Sequence, residues 1–417
     1  MRKRFPWFTL VILLLGILFL REPRFQKFEE LFLGWLMENS VPAGPDAPLT
    51  VVEIVADRLA PNTESPAPTQ APSRPVSGSG MNASPLEHAL FLQAALELNP
   101  AVIAFEPVLL WRDRDKDQEQ IFLDQAMRVP KLLLGAELST THDPDTPVPE
   151  IPSFPNVTGK RAALINFTGI DRQPDEEMRL IATLGFTNLP EEFFSHMHVP
   201  LLFQYRGEVI PSFTLQALML WLRVTPGEVR IDLEKEIELP QGRRIPIKPD
   251  GTVLVNFNAA KRAQRLSMNE LLDVAQSHAK PAAGQTVRDL NNEIVLARTP
   301  RNPLSPPDVF AATIVTIQNE LYPRRVHWMF DCVLLVTLVA LANPLRRFSR
   351  IDLMLSVIAF SAGYCMLALT LLKHANIWLP GILPLGAVWI LVIFTVILPT
   401  EKNASRTVAI AASPPVP

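Results

Sequence analysis

The apolar residues of this chain are concentrated at its two ends, and this arrangement limits what the chain can fold into. Residues 5–20 form an uncharged apolar run that follows the basic residues Arg2, Lys3 and Arg4. Three further apolar runs close the chain, at 326–342, 351–372 and 377–398. A helix needs about 20 apolar residues to cross a membrane. The pattern therefore predicts one N-terminal and three C-terminal transmembrane helices.

The residues after the first run fit a retained anchor better than a cleaved signal peptide. Cleavage needs small residues at the processing site, but the run ends with Phe19 and Leu20, and Arg21, Glu22 and Pro23 follow it. We therefore expect residues 1–20 to form a signal-anchor helix.

Basic residues beside the apolar runs predict the orientation of the chain. Lysine and arginine accumulate on the cytoplasmic side of membrane proteins. If all four runs span, the N-terminus and the loop with Arg346, Arg347 and Arg350 both lie inside. Residues 21–325 then form an outer domain, 326–400 contain three spans, and 401–417 form a short cytoplasmic tail. Fewer than twenty residues follow the last run, so we expect no folded output module there.

The charge and cysteine content of the outer domain suggest its compartment. Residues 21–325 carry 30 of the 39 Lys and Arg and 39 of the 42 Asp and Glu, a formal charge of about −9. Cys332 and Cys365 both lie in apolar runs, so the outer domain has no disulfide. An acidic, cysteine-free exported domain is typical of the bacterial periplasm. Its charge argues against binding to nucleic acid or anionic lipid.

Hydrophobic periodicity predicts an α/β fold for the outer domain. Short apolar runs at 49–55, 101–105 and 131–136 read as strands, and 86–98 and 118–128 between them read as helices. This β-α-β-α-β series favours a mostly parallel or mixed sheet flanked by helices. Further strands are expected at 162–167, 199–205 and 293–297, and antiparallel strands at 229–239 and 245–257 with a tight turn at Asp250-Gly251. Further helices are expected after Pro211, at 308–322 and at 267–277, where Ser267 is the cap and Glu270 its box partner.

Two other segments have distinct compositions. Residues 60–80 are rich in Pro, Ser and Gly and predict an exposed loop that contributes little to the fold. Residues 25–38 have the spacing of an amphipathic helix. That helix could lie on the membrane, pair with a second copy in a homodimer, or pack on its own domain.

Over residues 5–400 this layout resembles the CHASE domain of type 2, an extracellular sensory domain associated with cyclases and kinases. HALFLQAALELNPAVIAFEPVLL is similar to the family's helix–strand stretch, with Glu106 where the family usually has Asp. IPIKPDGTVLVNF is similar to its strand pair. The first strand departs from the family: only Asp57 replaces its consecutive acids, and the Trp-Pro element is missing. The resemblance implies a sensory function and an altered ligand pocket.

Asp57 and Glu106 are the candidate ligand-binding residues. They follow predicted parallel strands that we expect to be adjacent, and open α/β sheets bind ligands at the carboxyl ends of their strands. Helix caps or salt-bridge partners are the alternative roles. Asp113, Asp115, Asp117 and Asp124 lack the glycine of a calcium loop, and Glu192, His196 and His198 lack a further ligand, so no metal or cofactor is predicted.

The sequence predicts an integral membrane protein of the bacterial inner membrane, with a sensory domain in the periplasm. We find no hydrolase, P-loop or dinucleotide motif, so an enzyme is not expected. The outer signal is a small molecule or a protein, and a separate kinase, cyclase or envelope protein would act as partner. Arg346, Arg347 and Arg350 are candidates for contacting a cytoplasmic partner. The alternative is a structural or assembly subunit of a cell-envelope complex.

Overall fold

The computed structural model describes residues 23–54, 83–111, 115–141, 151–190, 197–279, 289–299, 308–327 and 350–397, and parts of 329–337. The chain divides into two compact units. One is Gly44–Tyr322, here called the α/β unit, and the other combines Met1–Ala43 with Pro323–Pro417, here called the terminal unit.

Nine helices are described in full. They are α1 (Pro23–Glu38), α2 (Pro85–Leu96), α3 (Lys116–Ala126), α4 (Glu176–Ile181), α5 (Phe213–Leu222), α6 (Met268–Ala279), α7 (Val309–Gln318), α8 (Arg350–Ala375) and α9 (Ile382–Ile397). Local sequence explains where several of them begin. Ser84 and Glu87 form a reciprocal capping box at α2. The predicted box of Ser267 and Glu270 is present at α6, with Ser267 N donating to Glu270 Oε2 at 2.7 Å.

A seven-stranded sheet forms the centre of the α/β unit. Its strands are β1 (Leu49–Glu53), β2 (Val102–Phe105), β3 (Leu132–Ser139), β6 (Gly169–Arg172), β7 (Thr183–Phe186), β15 (Gln264–Ser267) and β16 (Ile294–Arg298). The order is β15-β1-β16-β2-β3-β6, and β7 also pairs with β3. All pairs are parallel except β3 with β6. The predicted mixed α/β sheet is therefore confirmed.

Helices cover both faces of this sheet because its strands carry apolar side chains on both sides. Helices α2, α3 and α6 pack on one face, around Phe91, Phe105 and Phe122. Helices α5 and α7 pack on the other face, around Phe213 and Ile314. Every residue of α7 is buried, which accounts for its mostly apolar sequence, and its two threonines donate to backbone carbonyls of the same helix.

The remaining strands form smaller sheets. They are β4 (Val157–Thr158), β5 (Asn166–Phe167), β8 (His198–Pro200), β9 (Leu202–Tyr205), β10 (Glu208–Pro211), β11 (Arg230–Asp232), β12 (Glu236–Glu238), β13 (Arg244–Pro246) and β14 (Thr252–Leu254). The sheet β13-β12-β11-β4 packs Ile231, Ile237 and Ile245 into the core that contains α5 and α7. Its other face is charged.

Three predicted strands were wrong in extent. Residues 162–167 contain a 3₁₀ turn, Arg161–Ala163, and only Asn166–Phe167 are extended. Residues 199–205 divide into β8 and β9, which lie in different sheets, and residues 229–239 divide into β11 and β12. The tight turn predicted at Asp250-Gly251 is present, and the φ of 76° at Gly251 is the left-handed conformation that glycine tolerates. The structure therefore separates β13 from β14.

The terminal unit contains α1, α8, α9 and the short pair β17 (Arg324–Arg325) with β18 (Ile377–Trp378). Glu29 on α1 is buried and accepts hydrogen bonds from the backbone N–H groups of Gly381 and Ile382, at 2.8 and 3.0 Å. These N–H groups lie at the start of α9, so Glu29 caps that helix. Helix α1 therefore packs on the closing helices of the chain.

Within the described residues, one helix is long and apolar enough to cross a membrane. It covers Ile351–Ala375, with a mean hydropathy of 2.0. Helix α9 is also apolar but has only 16 residues. The predicted runs at 5–20 and most of 326–342 lie outside the described residues, as does the loop at 60–80, so the predicted four spans are not confirmed.

Candidate functional site

Three charged side chains form a row across the carboxyl edge of the central sheet. Glu53 ends β1 and pairs in register with Arg298, which ends β16. Ala297 pairs with Phe105, so Glu106 lies one step further, beside Arg298. In-register residues of parallel strands point to the same face, and neighbouring strands lie about 5 Å apart. We call Glu53, Arg298 and Glu106 the charged row.

The row points to the face that carries α5 and α7. The preceding residues Val52, Ala297 and Phe105 all belong to the opposite core, with α2, α3 and α6. Because side chains alternate along a strand, the charged row must face the other way. The position of Asp308, which precedes α7 and contacts Arg298, agrees with this assignment.

Asp308 is bound by two arginines. Arg298 Nη1 donates to Asp308 Oδ1, and Arg265 Nη2 donates to Asp308 Oδ2. Arg298 is 7% exposed and Asp308 is 8% exposed, whereas the Arg265 side chain is 47% exposed. The pair of Arg298 and Asp308 is therefore a buried ion pair, and Arg265 joins it from the surface.

Asp308 occupies an unusual position for a helix cap. It is the residue before α7 and has a left-handed backbone, with a φ of 52°, and its side chain does not cap the helix. Its carboxylate instead faces the guanidinium groups of Arg265 and Arg298. The charged row is thereby connected to the first residue of α7.

Glu106 occupies an unfavourable environment for a charge. Desolvation raises the pKa of its carboxyl group above the ordinary value of 4.5, and the positive charge of Arg298 only partly opposes this effect. A carboxyl group with a raised pKa at the edge of an α/β sheet is a candidate for ligand binding.

Glycine beside the row permits close packing. Gly135 on β3 lies next to Glu106, and a Cβ there would collide with the Glu106 carbonyl oxygen. Gly185 on β7 pairs with Gly135, and a Cβ at Gly185 would lie 3.0 Å from the Cα of Phe213. These glycines allow the start of α5 to approach the carboxyl edge on the same face as the row.

The predicted pair of Asp57 and Glu106 is only partly tested. Asp57 lies outside the described residues. The expectation that β1 and β2 are adjacent is wrong, because β16 lies between them and pairs with both. The residue that the structure brings beside Glu106 is Arg298. Of the cytoplasmic candidates, Arg346 and Arg347 are not described, and Arg350 begins α8.

The other predicted constellations have structural roles or fall outside the described residues. Asp115 caps α3 by accepting from Asp117 N at 3.1 Å. Asp124 accepts from Gln120 on the same helix, and Asp113 is not described. His198 Nε2 lies 2.7 Å from Lys248 Nζ, while Glu192 and His196 are not described. Within the described part of the chain, no group of His, Cys, Asp and Glu could hold a metal ion.

Sequence reasoning missed Glu53, Arg265, Arg298 and Asp308. A charged residue that ends an apolar strand was visible at Glu53 and Arg298, in LTVVE and IVLAR. The grouping was not visible, because it depends on the order of strands that are about 240 residues apart in sequence.

The fold and the charged edge together define a mixed α/β domain with a candidate ligand-binding edge. Residues 9–297 match the family model of the CHASE2 domain, and the chain therefore belongs to the CHASE2 family, a family of extracellular sensory domains. The predicted resemblance is confirmed. Neither the curated proteins nor the solved structures include a match to this chain.

Proposed function

We propose that this protein is a membrane-integrated sensor that binds a small ligand at the charged row and acts on a separate kinase or cyclase. The observation that carries the proposal is the row itself, at the edge where open α/β sheets bind ligands. Membership of a sensory family supports the same function. The proposal assigns no reaction to the site.

The connection of the row to α7 supports signal transmission. Asp308 joins the row to the start of α7, and the sequence passes from α7 into the terminal unit within a few residues. A ligand that changes the ion pairs of Asp308 would change how firmly α7 is held. A ligand shifts a conformational equilibrium only if it binds one of the two states more tightly than the other. The ion pairs of Asp308 are the contacts that could differ between these states.

Ligand mapping tests this function. The full-length protein in detergent is screened by thermal unfolding against small anions, cations and neutral metabolites. We expect a stabilising compound to slow hydrogen exchange in β16 and at the start of α7. Glu53→Gln, which removes the exposed charge of the row, should change the affinity for this compound, and the exposed control Glu208→Gln should not. If every stabilising compound protects only segments away from the carboxyl edge, the assignment of the site is wrong.

We further propose a multi-pass arrangement in the bacterial inner membrane, with residues 21–325 in the periplasm and four spans. The apolar helix α8 and the basic residues around the runs support it. Reporter fusions after Ser40 and Gln285 should report the outer side, and fusions after Arg347 and at the C-terminus the inner side. A periplasmic signal at Arg347 would contradict the four-span arrangement.

The second candidate function is an assembly subunit of an envelope complex. It is favoured by an open cleft of about 600 Å³ on the charged face of the sheet β13-β12-β11-β4, lined by Thr158, Arg230, Asp232 and Glu236 among others. Crosslinking of the full-length protein in cells distinguishes the two functions. Recovery of envelope proteins through this face, without any kinase or cyclase, would favour the assembly subunit.

A further inference from the structure

Helix α1 has an apolar side that its packing on α9 leaves exposed. Phe28, Leu31 and Trp35 are 50%, 65% and 43% exposed, whereas Glu29 and Leu33 on the packed side are buried. Spacings of three and four residues place the first three on one side of the helix. We call Phe28, Leu31 and Trp35 the apolar stripe. An exposed row of large apolar side chains of this kind marks an interaction surface.

The apolar stripe lies at one end of the pair of apolar helices α8 and α9. Residues 376–381 connect the two helices at this end. Two contacts attach α1 and the residues after it to the same end. Glu29 caps the start of α9, and Ala43 N donates to the carbonyl oxygen of Lys373, near the end of α8, at 2.7 Å. Residues 28–35 therefore lie close to the point where α8 and α9 both end.

The exposed surfaces of α8 and α9 are typical of helices that face lipid. Ile351, Leu355 and Met366 on α8 and Ile393 on α9 are all more than half exposed. The hydrocarbon core of a bilayer accommodates such surfaces, whereas water does not. Because α1 contacts both helices at their connected end, the apolar stripe lies where this lipid-facing surface ends.

Basic side chains lie at the same end. Arg324 and Arg325 form β17, which pairs with β18 in the connection between α8 and α9, and Lys373 lies in the last turn of α8. All three are exposed. We call Arg324, Arg325 and Lys373 the basic group. None of the residues 323–327 and 373–378, all of which the structure describes, is acidic.

The basic group is on the unexpected side of the membrane. In the proposed arrangement this end of the helices faces the periplasm, where lysine and arginine are normally scarce beside spans. Attraction to anionic headgroups is a physical reason for positive charge at this place. The acidic excess of residues 21–325 does not cancel it, because salt screens exposed charges that are more than about 10 Å apart.

Two tryptophans at this end fit the same environment. Trp35 belongs to the apolar stripe, and the ring centre of Trp378 lies 5.6 Å from the guanidinium carbon of Arg325. Tryptophan is enriched at membrane–water interfaces because its ring is apolar and its N–H group is polar.

We propose that the apolar stripe and the basic group together bind anionic phospholipid of the periplasmic leaflet. The stripe enters the boundary between headgroups and acyl chains, and the basic group contacts the phosphates. This inference rests on the proposed membrane arrangement and adds a lipid partner to it. A second copy of the chain is the rival occupant of the stripe, but it would leave the basic group without a role.

Fluorescence quenching tests the position of the stripe. The full-length protein is reconstituted into vesicles of phosphatidylcholine and phosphatidylglycerol, with six of its seven tryptophans replaced by Phe so that only Trp35 remains. Lipids brominated on their acyl chains quench from the bilayer, and iodide quenches from water. We expect brominated lipid to quench Trp35 as strongly as a single Trp389 on the apolar helix α9. Leu180→Trp, at an exposed apolar site of the α/β unit, should as the single tryptophan be quenched by iodide alone.

Lipid selectivity tests the basic group. The affinity for fluorescent phosphatidylglycerol is measured on the full-length protein in detergent. We expect Arg324→Gln and Lys373→Gln each to weaken binding by about fivefold, the effect of one positive charge near an anionic surface. Binding of phosphatidylcholine should not change, and neither should any affinity of the control Arg128→Gln, an exposed arginine of the α/β unit. Both test variants remove positive charge from the outer side, so insertion should be retained.

Four results would overturn the inference in different ways. If lipid quenches Trp389 but only iodide quenches Trp35, the stripe faces water. If both quenchers miss Trp35, and Leu31→Cys crosslinks two copies in a chain with Cys332→Ser and Cys365→Ser, the stripe is a dimer interface. If lipid does not quench Trp389 either, the membrane arrangement itself is wrong. If the basic variants bind phosphatidylglycerol as tightly as the control does, the headgroup contact is rejected.

Discussion

Removing the carboxylate that both arginines bind should destabilise the α/β unit strongly. In Asp308→Asn the side chain keeps its size but loses its charge. Arg298, which is 7% exposed, would then be a buried cation whose carboxylate neighbours among the described residues are Glu53 and Glu106, and neither forms a hydrogen-bonded pair with it. Burial of an unpaired charge is among the costliest single changes in a protein.

The structure separates the costs of the two ion pairs. Breaking a buried pair by removing one partner costs about 3–5 kcal/mol. The pair with Arg265 is half exposed, and such pairs contribute about 0–1 kcal/mol because solvent screens them. We therefore expect Asp308→Asn to lower the free energy of unfolding by about 3 kcal/mol or more. Arg265→Gln should lower it by less than about 1 kcal/mol.

Urea unfolding of the full-length protein in detergent measures this difference, with tryptophan fluorescence as the signal; Trp111 and Trp221 are the tryptophans of the α/β unit, and replacing the other five by Phe in every variant restricts the signal to that unit. Hydrogen exchange of α7 gives a local measurement. A replacement of both partners, Arg298→Met with Asp308→Leu, should recover most of the loss, since apolar substitutes for a buried pair are often tolerated. If Asp308→Asn and Arg265→Gln destabilise equally and by less than about 1 kcal/mol, the reasoning about burial is wrong.

Three further predictions concern groups in other settings. His88 lies among the rings of Phe105, Trp111 and Phe122, and burial lowers its pKa below 6.5. Stability should therefore fall as the pH drops below 6.5, by at most about 1.4 kcal/mol per pH unit, and urea unfolding of His88→Gln should lack this component. Burial raises the pKa of Glu106, so its carboxyl group should not destabilise the fold below pH 4.5 and should destabilise it increasingly as the pH rises towards the folded-state pKa. By the same assay, Glu106→Gln should be more stable than the wild type at pH 7. Glu29→Ala removes the cap of α9 and should cost about 1–2 kcal/mol in thermal unfolding, whereas the exposed Leu31→Ala on the same helix should cost little.

Local signals in the sequence were sufficient for four of the seven strands of the central sheet, namely β1, β2, β3 and β16, whereas β6, β7 and β15 were not predicted. The apolar strands β2 and β3 and the capped helices α2 and α6 appear where periodicity and caps predicted them. These features depend on residues within a few positions of one another, so a single sequence contains the necessary information.

The order of the strands could not be predicted in the same way. Strand β16 inserts between β1 and β2, although nearly two hundred residues separate β2 from β16. All three strands are apolar and parallel, so any of them could pair with another without changing its own pattern. This placement decides which charges meet, and it is the reason that Arg298 was not identified as the neighbour of Glu106.

The segment at 162–167 shows a different cause of error. Its apolar residues suggested a strand, but Arg161–Ala163 form a 3₁₀ turn that is followed by a short pairing of β5 with β9. Leu164 and Phe167 are buried all the same. Apolar residues in a short run indicate burial more reliably than they indicate a type of secondary structure.

The position of α7 gives the charged row a physical route to the rest of the chain. At the start of α7, Asp308 is held by Arg265 and Arg298. At its end, Arg243 donates to the carbonyls of Ile317 and Gln318, both at 3.2 Å. The helix between them is buried along its whole length. A buried, close-packed helix has discrete positions rather than a continuous range, because its side chains interlock with their neighbours. A ligand that redistributes the charges around Asp308 would therefore act on the whole helix, and the sequence continues from that helix directly into the terminal unit.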